Sequence, residues 1–212
     1  MRRSRKLLFS RSATLLVAAI ALGACGDPLL QPAASDEKAR VAPVAAALRL
    51  NAPVVISQLY GGGGNAGAVL GNDFVELFNR SDAPVDVTGW SVQYASAAGT
   101  GHFGMNPVVA VSGVLQPGQY YLLQLAGGTT GSPLPPADAT GTINMAAGAG
   151  KVVLVASSAG LACNGGSTPC SPAQETLIQD LVGYGGANYF ETAPALLLSA
   201  TNSNKRNKLR QS

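Results

Sequence analysis

The fold of this chain is decided by residues 72–90, which read NDFVELFNRSDAPVDVTGW. Residues 73–79 alternate with the period-2 pattern of a β-strand, so Glu76 shares a face with two phenylalanines and opposes Val75 and Leu77. Both faces of this strand carry apolar groups, which favours a strand within a two-sheet sandwich over an exposed edge strand. The Asn- and Asp-containing residues that follow predict a turn before the next strands.

Short apolar runs continue on both sides of this stretch. The chain contains 26 glycines and 13 prolines, and only 12% of its residues are charged, a composition that favours short strands joined by turns. Residues 127–141 predict a long loop, and no amphipathic helix is evident. The predicted strands are 54–60, 73–79, 85–87, 90–94, 108–114, 120–125, 142–145, 151–156 and 177–184. This spacing predicts an all-β chain that folds as an antiparallel β-sandwich of about nine short strands.

Several of these segments resemble the lamin tail domain family. The matching segments occur in the expected order and cover most of residues 53–190. Glu76, Asn79, Gly89 and Trp90 form the most specific part of the motif. The segments are 54–58 (VVISQ), 72–79 (NDFVELFN), 84–90 (PVDVTGW), 115–122 (LQPGQYYL), 150–152 (GKV) and 180–185 (DLVGYG).

The resemblance implies an immunoglobulin-like sandwich without enzyme chemistry, catalytic residues or a cofactor. Bacterial members of the family are exported, are often fused to nucleases or other hydrolases, and are regarded as interaction or envelope-tethering modules. Similar bacterial sequences continue past a segment like 199–206 with a cysteine-containing stretch and a last strand, whereas only residues 207–212 follow here. This difference implies a truncated or divergent end, with an open sheet edge.

The N-terminus carries a targeting signal. Residues 1–12 contain five basic and no acidic side chains, and the apolar run that follows is too short for an ordinary membrane span. The run ends in Leu22-Gly23-Ala24-Cys25, which resembles the lipobox of bacterial lipoproteins. The resemblance implies cleavage between Ala24 and Cys25 and lipidation of Cys25, and Gly26 favours the outer over the inner membrane. The alternative is a plain secretory signal with an incidental cysteine.

The charge distribution disfavours nucleic acid as a partner. From Cys25 onward the chain has nine basic and eleven acidic residues, and residues 53–192 contain only two basic residues against eight acidic ones. A surface that follows phosphates needs clustered Lys and Arg. The folded part of the chain is therefore not expected to bind nucleic acid.

The two remaining cysteines predict a disulfide. Cys163 and Cys170 flank a Gly-, Ser- and Pro-containing turn, and an even pair in an exported chain is typical of a disulfide. A zinc site would need about four ligands, and His102 is the only histidine. No metal site is expected from these residues.

Four carboxylates near the motif suggest two further alternatives. Asp73 and Glu76 could serve as an acid–base pair, or they could bind calcium together with Asp82 and Asp86. Residues 73 and 76 fall on opposite faces of a strand, which argues against convergence, and no Asp-rich calcium loop is present. We interpret Glu76 as an acceptor for backbone N–H groups of a neighbouring loop.

Other conspicuous residues have structural interpretations. The run Gly61–Gly64 lacks the Gly-Lys-Ser/Thr of a phosphate-binding loop and predicts a strand connection. Trp90 is expected in the core. Four tyrosines could line a sugar- or peptide-binding face, although their ligand is unknown. These are Tyr60, Tyr94, Tyr120 and Tyr121.

Together these features predict four segments and one function. The segments are a signal peptide at 1–24, a lipidated N-terminus with a flexible tether at 25–52, the sandwich at 53–198, and a basic tail at 199–212. The predicted function is a non-enzymatic, lipid-anchored binding or adaptor module of the bacterial cell envelope. Its expected partners are the membrane, through the anchor, and an unidentified envelope protein or polymer. The alternative is an accessory subunit of a secreted hydrolase such as a nuclease.

Overall fold

Two β-sheets packed face to face, with a two-stranded ribbon, form the part of the chain that the computed structural model describes. That part comprises residues 51–191, 195, 198–199 and 201–205. The predicted signal peptide, Cys25 and the tether up to residue 50 lie outside the described residues. Among the described residues, no helix has the length and apolar character needed to cross a membrane.

The strands are β1 (Val54–Tyr60), β2 (Asn72–Asn79), β3 (Val85–Asp86), β4 (Trp90–Ser96), β5 (Val109–Val111), β6 (Val114–Leu115), β7 (Tyr120–Gly127), β8 (Ala139–Thr140), β9 (Gly150–Val155), β10 (Ile178–Tyr184) and β11 (Asn204–Lys205). A 3-10 turn (Phe103–Met105) and a short helix, α1 (Pro172–Leu177), lie between strands. The five-stranded sheet has the strand order β11-β1-β2-β7-β8, the four-stranded sheet has the order β10-β9-β4-β5, and the ribbon pairs β3 with β6. Among these named strands only β7 and β8 pair in parallel.

The main apolar core lies between the two sheets. Strand β2 contributes Val75 and Leu77, and β9 contributes Val152 and Leu154, all completely buried. Phe78 lies on the opposite face of β2 and is only half-buried. The period-2 prediction for this strand is therefore confirmed, and so is the immunoglobulin-like β-sandwich.

The outer face of the four-stranded sheet carries a second, smaller apolar cluster. Val153 and Val155 of β9 lie in this cluster with Phe103 and Leu161, which belong to the connections that cross the sheet. Strand β9 is thus buried on both faces. Its sequence after Lys151 is a continuous apolar run for that reason, instead of an alternating one.

A buried carboxylate joins the two sheets. Asp180 in β10 has no exposed surface, and its Oδ2 accepts a hydrogen bond from the backbone N–H of Ile56 in β1 at 2.6 Å. Its Oδ1 accepts from the N–H of Leu181 at 2.9 Å. The β1–β2 register shifts directly after Ile56, and the β10–β9 register shifts directly before Asp180. One side chain therefore connects two irregular points on opposite sheets.

Residues 142–145, predicted as a strand, belong to no strand. Ile143 and Met145 are nevertheless buried in the main core. The N–H of Met145 donates to Oδ2 of Asp73 at 2.7 Å, and the carbonyl of Ile143 accepts from Ala126 N–H at 3.0 Å. The apolar character of this segment was sufficient to predict burial, but a carboxylate satisfies the Met145 N–H without a strand pairing there.

Two other differences from the prediction have an identifiable cause. The predicted strand at 108–114 is divided into β5 and β6 by Gly113, whose φ of +109° is unfavourable for other residues. The predicted strand at 177–184 begins at Ile178 because α1 occupies the residues before it. A capping box between Ser171 and Gln174 begins α1, and that Ser-Pro-x-Gln pattern was available in the sequence.

The edge of β1 is paired at two positions. Gln58 and Leu59 lie opposite β11, a two-residue strand inside the segment predicted as a basic tail. The expectation of an open edge is therefore not met at these two residues. Residues 206–212 lie outside the described part of the chain.

Asp180→Asn tests the connection between the sheets. Asparagine has one acceptor oxygen, so the N–H of either Ile56 or Leu181 must face an amide donor. We expect the free energy of unfolding to fall by about 1–3 kcal/mol, measured by urea denaturation. Asp82→Asn, at an exposed turn position, should change it by less than about 0.5 kcal/mol. Equal effects of the two variants would contradict a special role for Asp180.

Candidate functional site

Asn79 of the sequence motif organises a turn. Its side chain is completely buried, and its Nδ2 donates to the carbonyls of Ala83 and Leu115, each at 2.9 Å. Its Oδ1 accepts from the N–H and the hydroxyl of Ser81 at 3.0 and 2.7 Å. This asparagine satisfies backbone groups after β2 ends, so its role is structural.

Gly89 and Trp90 form the turn into β4. The N–H of Trp90 donates to the carbonyl of Val87 at 3.0 Å, and Gly89 has a φ of +81°. That left-handed backbone conformation explains the glycine. Trp90, which was expected in the core, is only half-buried and packs against the main core.

Glu76 lies on the outer face of the five-stranded sheet. Its Oε1 accepts a hydrogen bond from the hydroxyl of Ser57 on the adjacent strand at 2.6 Å. The interpretation of Glu76 as an acceptor for loop backbone groups is therefore wrong, because a side chain of β1 is the donor. Asp73 makes its contacts elsewhere, so the two carboxylates do not form an acid–base pair.

The alternative calcium site is not assembled. Asp82 and Asp86 are exposed, and Asp86 accepts from the N–H of Thr88 at 2.9 Å. Hydrogen bonding by Thr88 lowers the pKa of Asp86. Within the residues that the structure describes, no three His, Cys, Asp or Glu side chains are grouped so as to hold a metal ion.

The carboxylate of Asp73 is enclosed by the glycine run Gly61–Gly64. Its Oδ1 accepts from the N–H of Gly63 at 2.7 Å, and its Oδ2 accepts from Met145 at the same distance. A Cβ on Gly63 would overlap the backbone of Asn72, so only glycine permits this approach. Burial raises the pKa of Asp73, although these N–H groups oppose the shift. The loop thus binds an anion of its own chain.

The four tyrosines do not form one binding face. Tyr60, Tyr94 and Tyr121 are each less than 10% exposed, whereas Tyr120 is 40% exposed. The hydroxyl of Tyr94 accepts from Ala146 N–H at 3.2 Å. Three of the four are therefore core residues, and the hydroxyl of Tyr60, like that of Tyr94, accepts a backbone N–H, here from Leu70.

Tyr184, like Tyr94, makes a hydrogen bond to Ala146. Its hydroxyl donates to the carbonyl of Ala146 at 2.7 Å. Burial raises its pKa far above the usual range, and the neighbouring Tyr94 and Asp73 raise it further. Residue 146 is therefore held through both its N–H and its carbonyl.

Lys151 is completely buried, which is unusual for a lysine. It lies in β9 opposite Ala95 and Gly183, on the outer face of the four-stranded sheet, and has no exposed surface. Its Nζ donates to Oδ1 of Asn188 at 2.9 Å. Burial lowers the pKa of Lys151 from 10.5 to about 8.

The predicted disulfide between Cys163 and Cys170 is present. Asn164, which is also completely buried, stabilises the loop that this disulfide closes. The Nδ2 of Asn164 donates to the carbonyls of Gly99 and Gly101 at 3.0 and 2.6 Å. The disulfide loop, residues 163–170, is thus fixed against the connection that follows β4.

Sequence reasoning did not identify Lys151, Asn164 or Asn188. A signal for Lys151 was available, because the period-2 pattern places it on the same face as Val153 and Val155, and both faces of that strand are apolar. Asn164 and Asn188 lie in irregular connections, whose positions a periodic pattern does not give. His102 is half-buried, with Nδ1 3.1 Å from the carbonyl of Leu161.

Comparison with known families gives one match. The model for the Lamin Tail Domain (LTD) matches residues 49–185, which include every strand from β1 to β10. No match to a curated protein was found.

Lys151→Met tests the cost of the buried amine. We expect the free energy of unfolding to rise by about 1–2 kcal/mol near neutral pH, because methionine fills the space without a charge. The gain is kept modest because Asn188 is itself exposed, so water lies close to the amine.

The gain from Lys151→Met should shrink between pH 8 and 10.5. In that range the unfolded lysine still holds its proton while the folded one has lost it, so the stability of the unmodified protein rises with pH. Urea denaturation at about pH 7 and about pH 10 measures the change. Gln116→Met, at an exposed position, should show no such dependence. A pH-independent difference for Lys151→Met would contradict the assignment.

Proposed function

The chain belongs to the Lamin Tail Domain family, and on this premise we propose that it is a non-enzymatic binding module held at the bacterial cell envelope by a lipid on Cys25. The observation that carries the proposal is the sequence of residues 22–25, Leu-Gly-Ala-Cys, directly after a basic and then apolar N-terminus. The family match begins at residue 49, which leaves about 25 residues after Cys25 as a tether.

The disulfide supports the export part of the proposal. Disulfides persist in oxidising compartments and are rare in the cytosol. Cys163 and Cys170 are bonded to each other, and Cys25 is then left as the third cysteine of the chain. The thiol of Cys25, at the end of the export signal, can then serve as a lipidation site separate from the folded domain.

The use of the polar side chains supports a binding module over an enzyme. Asp73 binds a glycine loop and Asp180 joins the two sheets. Lys151 is completely buried and bonded to Asn188. The two carboxylates hold the fold and the amine has no exposed surface in this structure, whereas a catalytic group must be able to reach a substrate.

The excess of acidic residues in the domain restricts the kinds of partner that it can bind. Asp82, Asp86 and Asp138 are exposed, and acidic residues outnumber basic ones by eight to two between residues 53 and 192. Such a surface repels nucleic acid and favours an envelope protein or polymer with neutral or cationic groups.

Cys25→Ser tests the anchor. We expect the unmodified protein to fractionate with membranes and to incorporate radiolabelled fatty acid, and the variant to lose both properties because serine has no thiol to lipidate. The matched control is the double variant Cys163→Ser/Cys170→Ser, which should keep the lipid. A Cys25→Ser protein that stays in the membrane fraction and still carries fatty acid would contradict the proposal.

The same membranes distinguish an adaptor from an accessory subunit. After solubilisation in mild detergent, the tagged full-length protein should co-purify with an envelope protein or polymer and without hydrolase activity. A co-purifying nuclease or other hydrolase would favour the accessory role. Hydrolysis of nucleic acids or esters by the protein itself, retained through further purification, would contradict a non-enzymatic module.

A further inference from the structure

Lys151 lies beneath a covering segment, residues 187–190. The carbonyl of Tyr189 and the side chain of Phe190 lie so close to Gly183, the β10 neighbour of Lys151, that a Cβ on Gly183 would overlap them. The N–H of Asn188 donates to the carbonyl of Ala97, just beyond the end of β4, at 2.9 Å. The covering segment therefore crosses the sheet at the level of Lys151, and its Asn188 side chain accepts the hydrogen bond from the amine.

The disulfide loop supports this cover from the other side. A Cβ on Gly166 would overlap the amide of Asn188, and a Cβ on Gly165 would overlap the ring of Tyr189. Both glycines lie inside the loop closed by Cys163 and Cys170. The two side chains that follow Ala187 therefore rest directly on the backbone of the disulfide loop.

A second contact links the cover to the residues after Cys170. The hydroxyl of Tyr189 donates to Oε1 of Glu175 in α1 at 2.7 Å. Helix α1 begins at Pro172, two residues beyond the disulfide. The position of Cys170 therefore influences the cover through both the loop and the helix.

We propose that the amine of Lys151 is a covalent modification site for acylating electrophiles, and that the Cys163–Cys170 disulfide keeps it covered. A dithiol reductant opens the gate: it transfers two electrons and two protons to the disulfide, which yields two cysteine thiols, and is itself oxidised to a disulfide. Cys163 is completely buried and Cys170 is half-buried, so Cys170 is the more accessible sulfur.

Loss of the bond removes the covalent closure of the loop that supports Asn188, and the loop is then held only by hydrogen bonds such as those of Asn164, so it opens more often. The lone pair of the deprotonated amine then attacks the acyl carbon of an activated ester, the N–C bond forms, the acyl C–O bond breaks, and the leaving oxygen takes a proton from the nitrogen and departs as the alcohol. Burial is what lowers the pKa of Lys151, so opening of the cover returns the amine towards the ordinary pKa of a lysine, and its small deprotonated fraction at about pH 8 is the species that attacks.

Acetylation by an N-hydroxysuccinimide ester at about pH 8 tests the gate in the full-length protein. Peptide mass spectrometry follows acetylation of Lys151 in three samples: the oxidised protein, the protein reduced with dithiothreitol and then desalted, and the double variant Cys163→Ser/Cys170→Ser. We expect acetylation to be about tenfold faster, or more, in the second and third samples. An equal rate in all three would overturn the proposal.

Gly166→Ala separates opening of the cover from loss of the disulfide. The added methyl group must displace the amide of Asn188 while the disulfide remains, so acetylation of Lys151 should rise in the oxidised variant. Gly186→Ala is the matched control, because a Cβ there meets no atom within 4 Å, and it should leave the rate unchanged. Equal rates in these two variants would contradict the role of Asn188 as the cover.

Hydrogen exchange in β2 distinguishes local opening from unfolding. Strand β2 lies in the opposite sheet, so its amide protection should be unchanged by reduction while acetylation of Lys151 increases. Acetylation that increases only in proportion to exchange in β2 would mean that reduction unfolds the whole domain, and this result would overturn the local gate.

Discussion

The hydrogen bond from the Ile56 N–H to the carboxylate of Asp180 fixes the relation between the two sheets. Apolar packing alone is non-directional and does not prevent one sheet from sliding over the other. A buried hydrogen bond has both direction and strength, and it leaves a costly unpaired group if it is broken. With this contact in place, β10 and its neighbour β9 are held so that Val152 and Leu154 face the main core. Lys151 then faces the outer cluster.

Buried polar side chains also bond to backbone groups where the regular pairing between strands ends. Asp73 accepts hydrogen bonds from the glycine run and from Met145, and Asn79 satisfies the turn after β2. Asn164 does the same inside the disulfide loop. Buried backbone groups must be paired, and short strands leave many of them without a neighbouring strand. Asp73 and the glycine run could suggest a metal or phosphate site in the sequence, but in the structure they pair buried backbone groups.

Periodicity and turn residues were enough to predict most of the sandwich. Strand β1 has the predicted bounds, and β2 has the predicted faces, because a strand buried on one or both sides imposes a simple pattern on its side chains. Residues 142–145 were predicted wrongly, because burial and strand pairing leave the same apolar signature and only the tertiary structure supplies Asp73 as an acceptor. The disulfide was predictable from cysteine number and context. The burial of Lys151 under Asn188 was not, since it depends on a contact between residues 37 apart in an irregular connection.

The proposed location of this lamin tail domain at the envelope depends on lipidation of Cys25. Mass spectrometry of the N-terminal peptide of the protein, isolated from native membranes, tests this most directly. We expect a peptide that begins at Cys25 and carries a thioether-linked diacylglycerol. A peptide that begins elsewhere, or one that begins at Cys25 with an unmodified thiol, would contradict lipid anchoring.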